Sequence, residues 1–174
     1  MSYLRFGAMI ATSMVFMYGV TYLNTFDLAH VRWSETRLFM TLLMGSTMAL
    51  IMLGFMLGMY KNRLVNVAIV ATSLILFGVG TWLVRSQTTV QDASYMRAMI
   101  PHHSIAILTS ERSRLEDVRV CELAVEIAEA QRREISELEW LIADIEENGA
   151  AVTAAEAHTR PVPAFAGTSS RSCP

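Results

Sequence analysis

Over its first half, this chain of 174 residues is short of charge. No Asp, Glu, Lys or Arg occurs between Arg5 and Asp27, between Arg37 and Lys61, or between Arg63 and Arg85, which leaves runs of 21, 23 and 21 residues. A helix rises about 1.5 Å per residue, so each run is long enough to cross a hydrocarbon core of ~30 Å. Lipid offers backbone amides no partner, which excludes irregular chain in such runs and leaves helices. Cysteine is nearly absent too. Cys121 and Cys173 are the only two and show no Cys-x-x-Cys spacing, which argues against a zinc knuckle or a thioredoxin-like motif. Also missing is any Glu-x-x-His step, the pattern that carboxylate-bridged di-metal bundles use twice.

The charge that is present divides the chain by solvent. Positions 1–85 hold six bases and two acids, a net +4, whereas positions 86–148 hold six Arg against thirteen Asp and Glu, a net −7. A soluble part of that sign does not seek nucleic acid. The chain therefore reads as a three-span transmembrane region over 1–85, a helical metal-binding domain over 86–148, and a tail over 149–174. The tail is rich in Ala, Ser, Thr, Gly and Pro without periodicity and reads as disordered. Some 60 residues make a small autonomous core, so the soluble part is expected to dock on the membrane region, on a second copy in a homo-oligomer, or on a membrane partner protein.

The first run reads as a retained anchor in the lipid bilayer. Arg5 gives it the basic lead of a signal peptide, but it is too long for the apolar region of one and lacks a small-residue cleavage site before Asp27. Tyr22, Trp33 and Trp82 fall near one set of span ends and Tyr3 and Tyr60 near the other, as interface anchors do. Basic residues divide equally between the two sides. The compact Lys61-Asn62-Arg63 turn favours a cytoplasmic amino terminus, which places the soluble part outside the cytoplasm. In the second span, Gly54 and Gly58 form a Gly-x-x-x-Gly step suited to close packing within the chain. Methionines at 40, 44, 48, 52, 56 and 59 read as adaptable apolar filler. A relay for soft ions is the other meaning of such a row.

Beyond Arg85 the pattern becomes amphipathic. A helix over 89–113 is expected, opened by a capping box of Thr88 and Gln91 and interrupted by Pro101. A turn follows around Glu116 and Asp117. The next helix, over 118–147, ends at Asn148 and Gly149 and carries an apolar stripe of Val120, Ala124, Ile127, Leu138, Leu141 and Ile145. Cys121 reads as a small buried residue; Cys173, in the tail, could pair, ligate or do nothing, the last being the commonest outcome for such a residue.

Met96, Met99 and His103 lie at steps of three and four on the first soluble helix, with His102 adjacent. An antiparallel hairpin folded about residue 116 brings Gln131 and Glu134 level with the histidines. Both interrupt an apolar seam, and a buried carboxylate needs a partner: a protonated imidazole, an arginine such as Arg97, or a bound cation. Thioether and imidazole together suit soft ions such as Cu(I) or Ag(I), with Cu(II) leaning on His and Glu134. A polar cluster that only sets helix register is the competing reading. His30 in the first loop falls on the side of the hairpin, and His158 in the tail is given no role.

The stretch from about Tyr95 to Ile142, through Met-Ile-Pro-His-His-Ser-Ile-Ala-Ile and the later Gln131, Glu134 and Ile135, resembles the domain of unknown function 305 family. The three-span region resembles that of its membrane-attached members. The resemblance implies an all-α, ferritin-like fold: three transmembrane helices followed by an extramembrane ferritin-like antiparallel helical hairpin. It also implies copper binding and copper tolerance in the bacterial cell envelope. Carried over residue by residue, it makes Met96, Met99, His102, His103, Gln131 and Glu134 the metal ligands and a copper ion the cofactor. Leu108 and Leu138 stand where many members have Met, so two soft ligands of the pattern are missing. The expected function is copper capture or buffering, without catalysis, at the outer face of a bacterial inner membrane. A structural or assembly protein is the alternative, and a ferritin-like oxidoreductase, with no Glu-x-x-His to support it, the third.

Overall fold

The computed structural model describes residues 2–173. Among these residues there are six α-helices, one 3₁₀ turn and no strand: α1 (Tyr3–Val20), the 3₁₀ turn (Leu28–His30), α2 (Glu35–Met56), α3 (Arg63–Ser86), α4 (Asp92–Arg112), α5 (Val118–Asn148) and α6 (Ala154–Thr159). They form two compact units. One takes the chain up to Leu23 and Ser34–Val90; the other takes Asn24–Trp33 and the chain from Gln91 onward.

The first unit contains the three helices long and apolar enough to cross a membrane: α1, α2 and α3. Each begins where a side chain takes up a helix-end amide: Ser2 accepts from Leu4, Ser34 from Arg37, and Asn62 from Leu64 and Val65. The helix of the first span ends at Val20, six residues before its charge-free run does. There the Thr21 hydroxyl donates to the Tyr18 carbonyl at 2.6 Å, and the Arg37 guanidinium donates to the Thr21 carbonyl. Both satisfy backbone acceptors that further helix would otherwise have used.

Phe6, Ala49, Leu53 and Tyr60 form the unit's core, with Tyr3, Ile10, Met52, Met56 and Ile69 packed around it. Tyr60, expected at the interface, is instead 1 % exposed and meets the Phe6 ring edge-on at 5.4 Å. Close helix approach does not use Gly54 and Gly58, around which a Cβ would meet nothing. It uses Gly45, where the Met14 thioether fills the place of a Cβ, and Gly80, where Leu43 lies 3.2 Å from it. Of the methionine row, Met52 and Met56 do pack against this core, whereas Met40, Met44 and, beyond the end of α2, Met59 are exposed.

In the second unit α4 and α5 run antiparallel. Arg97 pairs with Glu146 at 2.5 Å, His103 with Glu134 at 3.0 Å and Arg132 with Glu111 at 2.7 Å, so rising numbers on α4 meet falling ones on α5. Ile100, Ile107 and Ile135 fill the seam, with Phe26, Leu138 and Ile142 against them. The expected capping box is absent. Gln91 precedes α4 without a side-chain cap bond, and the Thr88 hydroxyl lies 3.3 Å from that of Ser86. Asp117 caps α5, and Gly149, at φ 79°, ends it in a conformation that disfavours other residues.

The tail is not disordered. Thr153 and Glu156 form a capping box for α6, and Arg160 binds Asp144 at 2.7 Å and the Gly149 carbonyl at 3.1 Å. Gly167 passes so close to the Glu129 backbone that a Cβ would overlap it. Arg171 donates to the carbonyls of Ser110, Glu111 and Ser113 at the end of α4. Cys173 is joined to Cys121 by a disulfide. These contacts have no sequence period, which is why composition alone reads the segment as loose.

The bond closes a loop of 52 residues. On chain-entropy grounds it stabilises the unit by roughly 2–4 kcal/mol. Cys173→Ser is expected to lower the melting temperature of the purified protein, as reductant does for the wild type, and reductant is expected to leave the variant unaffected. Intact mass without reductant, two hydrogens lighter than with it, checks the bond itself.

Candidate metal centre

α4 carries Met96, Met99, His102 and His103 through the helix interior around Pro101, which is buried and across which the helix continues. The four side chains have different surroundings. Met96 is 4 % exposed, Met99 and His103 are half-buried, and His102 faces solvent. The His102 and His103 rings lie 5.8 Å apart at 59°. α5 brings Glu134 Oε2 to 3.0 Å from His103 Nδ1, and the Gln131 amide donates to the same oxygen at 3.2 Å. The structure thus gathers His103, Glu134 and Gln131, with His102 beside them. Met99 and Met96 sit one and two turns earlier on α4.

The His103–Glu134 contact is close but not an aligned hydrogen bond. The ring nitrogen is buried, and the carboxylate oxygen lies off the direction in which an N–H there would point. Glu134 is also less enclosed than its place in the seam implies, its side chain being 38 % exposed. Arg97, the other expected partner, pairs with Glu146 instead. Burial pushes the His103 pKa below its ordinary 6.5; Glu134 opposes that shift and His102 adds to it. Desolvation outweighs the carboxylate because a contact open to water gains little Coulomb energy. His103 is therefore held neutral, the form that offers a lone pair to a metal.

Two other polar groups complete the surroundings. Ser104, fully buried next to His103, accepts from the Phe26 amide at 2.7 Å and lies 2.8 Å from His30 Nδ1. His30 thereby fastens the loop before α2 to the hairpin, and the Phe26 ring sits 4.6 Å from the Arg132 guanidinium. A serine at the helical step between Ile100 and Ile107 is the sequence signal for this contact. Glu111, 4 % exposed at its side chain, is the second. Burial would raise its pKa, but hydrogen bonds from Ser170 and Arg132 outweigh that and hold the carboxyl below the usual range.

Among the described residues no three His, Cys, Asp or Glu side chains converge as a ligand set. A cation at His103 and Glu134 must draw on the methionine sulfurs, His102 or the Gln131 carbonyl oxygen. The donors gathered there are one carboxylate and a buried ring nitrogen that lacks an aligned hydrogen bond; a soft ion would need the Met99 thioether, one turn away, to join them.

Because the fold disfavours the protonated ring, the unfolded chain binds more protons below pH 6.5. The contribution of His103 to stability is then complete above that pH and falls as pH drops through it toward the folded-state value. In the metal-free protein the His103 imidazole resonances are expected to titrate below 6.5. The stability lost between neutral and mildly acid pH should shrink in His103→Gln.

Comparison with known proteins bears on the same segment. The chain is 29 % identical over 145 residues to an uncharacterized protein of Acanthamoeba polyphaga mimivirus, an alignment covering 78 % of this chain and 91 % of that one. No solved structure matches. Residues 92–170 match the family model described as "Domain of unknown function (DUF305)". The match runs past residue 148 into the tail, as do the contacts that fasten the tail to α4 and α5. Segment 92–170 is therefore a domain of the domain of unknown function 305 family.

Proposed function

We propose that the protein is a membrane-anchored metal-binding protein that captures or buffers Cu(I), and by the same chemistry Ag(I), outside the cytoplasm. It holds ions and turns over no substrate. The observation that carries this reading is the half-buried His103 beside Glu134, with Gln131 on the same carboxylate oxygen and Met99 one turn away on α4. Imidazole and thioether donors prefer soft, low-charge ions over Mg²⁺ or Ca²⁺, which demand oxygen. Glu134 would offset the charge of the ion. Met96, Met99, His102, His103, Gln131 and Glu134 are the proposed ligands and their immediate supports, on a ferritin-like hairpin.

Two features support the compartment. Three helices are long and apolar enough to anchor the chain in a bilayer, proposed here to be a bacterial inner membrane. The Cys121–Cys173 bond belongs to oxidising surroundings, since cytosolic thiols are kept reduced. A soft-ion site in a compartment without a thiol buffer has little competition for Cu(I).

Gly54 and Gly58, open within the chain, favour a second reading in which α2 packs on a partner helix and the histidines only set register. Titration separates the two. Full-length protein in detergent is expected to bind Cu(I), measured against a competing chelator, far more tightly than Zn(II). Glu134→Gln should weaken Cu(I) binding by roughly 10–100-fold, as loss of an orienting carboxylate does. Equally weak binding of both ions overturns the copper reading, and a changed oligomeric state in His103→Ala with unchanged Cu(I) affinity establishes the other.

A further inference from the structure

We infer that the membrane-spanning unit holds a second soft-cation site, made of thioethers alone, in the groove between α1 and α2. Met17 of α1 and Met44, Met48 and Met52 of α2 line a groove of about 440 Å³ whose other walls are Leu43, Thr47 and Ile51. On α2 these methionines recur every four residues. Successive ones therefore stand about 6 Å apart along the axis and drift by ~40° per step, which winds the row past the neighbouring helix. Met17 adds a sulfur from that helix.

Core packing accounts for only part of the row: Met52 and Met56 lie against the Phe6–Tyr60 cluster, and Met44 and Met48 do not. Met44 is 36 % exposed, and Met17, Met48 and Met52 are half-buried, so these side chains border the groove and are not sealed behind it. A purely lipid-facing wall needs no polarizable donors, since leucine has equal volume and similar hydrophobicity. The other walls restrict what the groove can hold. No charged side chain lines it, and its one hydroxyl, Thr47 Oγ1, donates to the Leu43 carbonyl at 2.9 Å. Mg²⁺, Ca²⁺ and Zn²⁺ need oxygen, nitrogen or thiolate ligands that it lacks. Thioethers suit a monovalent d¹⁰ ion, Cu(I) or Ag(I).

Neutral donors leave the charge of the ion uncompensated in a medium where charge is costly. The groove therefore holds its ion more weakly than a site beside Glu134, and it exchanges the ion rather than stores it. Met40 and Met56 continue the row along α2 in both directions. This inference rests on the soft-ion reading of the chain but uses none of the hairpin's residues.

Ag(I), which has no accessible redox change, is the probe. Full-length protein in detergent micelles is titrated with it calorimetrically, and retained silver is counted after desalting. Two variants are compared with wild type: Met44→Leu/Met48→Leu/Met52→Leu, which keeps volume nearly constant, and Met99→Leu/His103→Ala. The triple variant is expected to bind one ion fewer and lose the weaker phase, and the double variant to lose the tighter one. A triple variant with unchanged stoichiometry and phases overturns the groove site, whereas an unchanged double variant overturns the hairpin site alone. X-ray absorption of Ag(I) bound to the double variant tests the same point without altering the span. Sulfur-only neighbours are expected, and nitrogen or oxygen neighbours overturn the inference.

Discussion

The seam between α4 and α5 is closed by Ile100, Ile107 and Ile135, the first two with no exposed surface, and the geometry of the candidate centre depends on that packing. Burying each such side chain contributes about 1.5–3 kcal/mol. A one-residue slip would rotate the set out of contact by ~100°. With the register fixed, His103 meets Glu134, Arg132 meets Glu111 and Arg97 meets Glu146. Of these, the Arg97–Glu146 pair is exposed and contributes at most about 1 kcal/mol, so it follows the register and does not set it. Phe26, from the loop between α1 and α2, packs against the same isoleucines, and buried Ser104 holds its amide. That loop is therefore part of the second unit although the sequence places it between two long apolar helices.

The chemistry at His103 follows from an imbalance between two opposing effects. Burial disfavours the charged ring, and the carboxylate that would favour it is itself partly in water and off the ring N–H axis. Burial of the ring thus favours the neutral imidazole over the charged one. The tail contributes at a distance. Ser170 and Arg171 fasten onto Glu111 and the last carbonyls of α4, and the Cys121–Cys173 bond ties the chain end to the first turn of α5.

In the first unit the burial pattern is that of a thin bundle. Its core is one small cluster at the Tyr3–Tyr60 end, and close helix approach occurs at Gly45 and Gly80. Long side chains such as Phe55 and Leu64 point outward, 89 % and 80 % exposed. Lipid is as apolar as leucine, so such a unit gains little from hiding them. The methionines of α2 stand at the border between the interior and that outer surface.

Much was legible in the sequence because it is carried by local spacing. Charge-free runs gave three apolar helices, the 3.6-residue period gave α4 and α5, and Gly149 marked the end of α5 to within a residue. The interruption of an apolar stripe by Gln131 and Glu134 pointed to their meeting with His103. What the sequence left undetermined depends on residues brought together from far apart. Cys121 and Cys173, Ser104 and His30, and Glu111 and Ser170 are each separated by 52 to 74 positions. Such pairs leave no period, and a tail held by them has the composition of a loose one. Likewise, which glycines admit a neighbouring helix depends on the side chain opposite, not on a Gly-x-x-x-Gly spacing. Helix identity is set by the chain's own backbone and near neighbours; partner choice, burial and the protonation of His103 are set by what the fold places around each group.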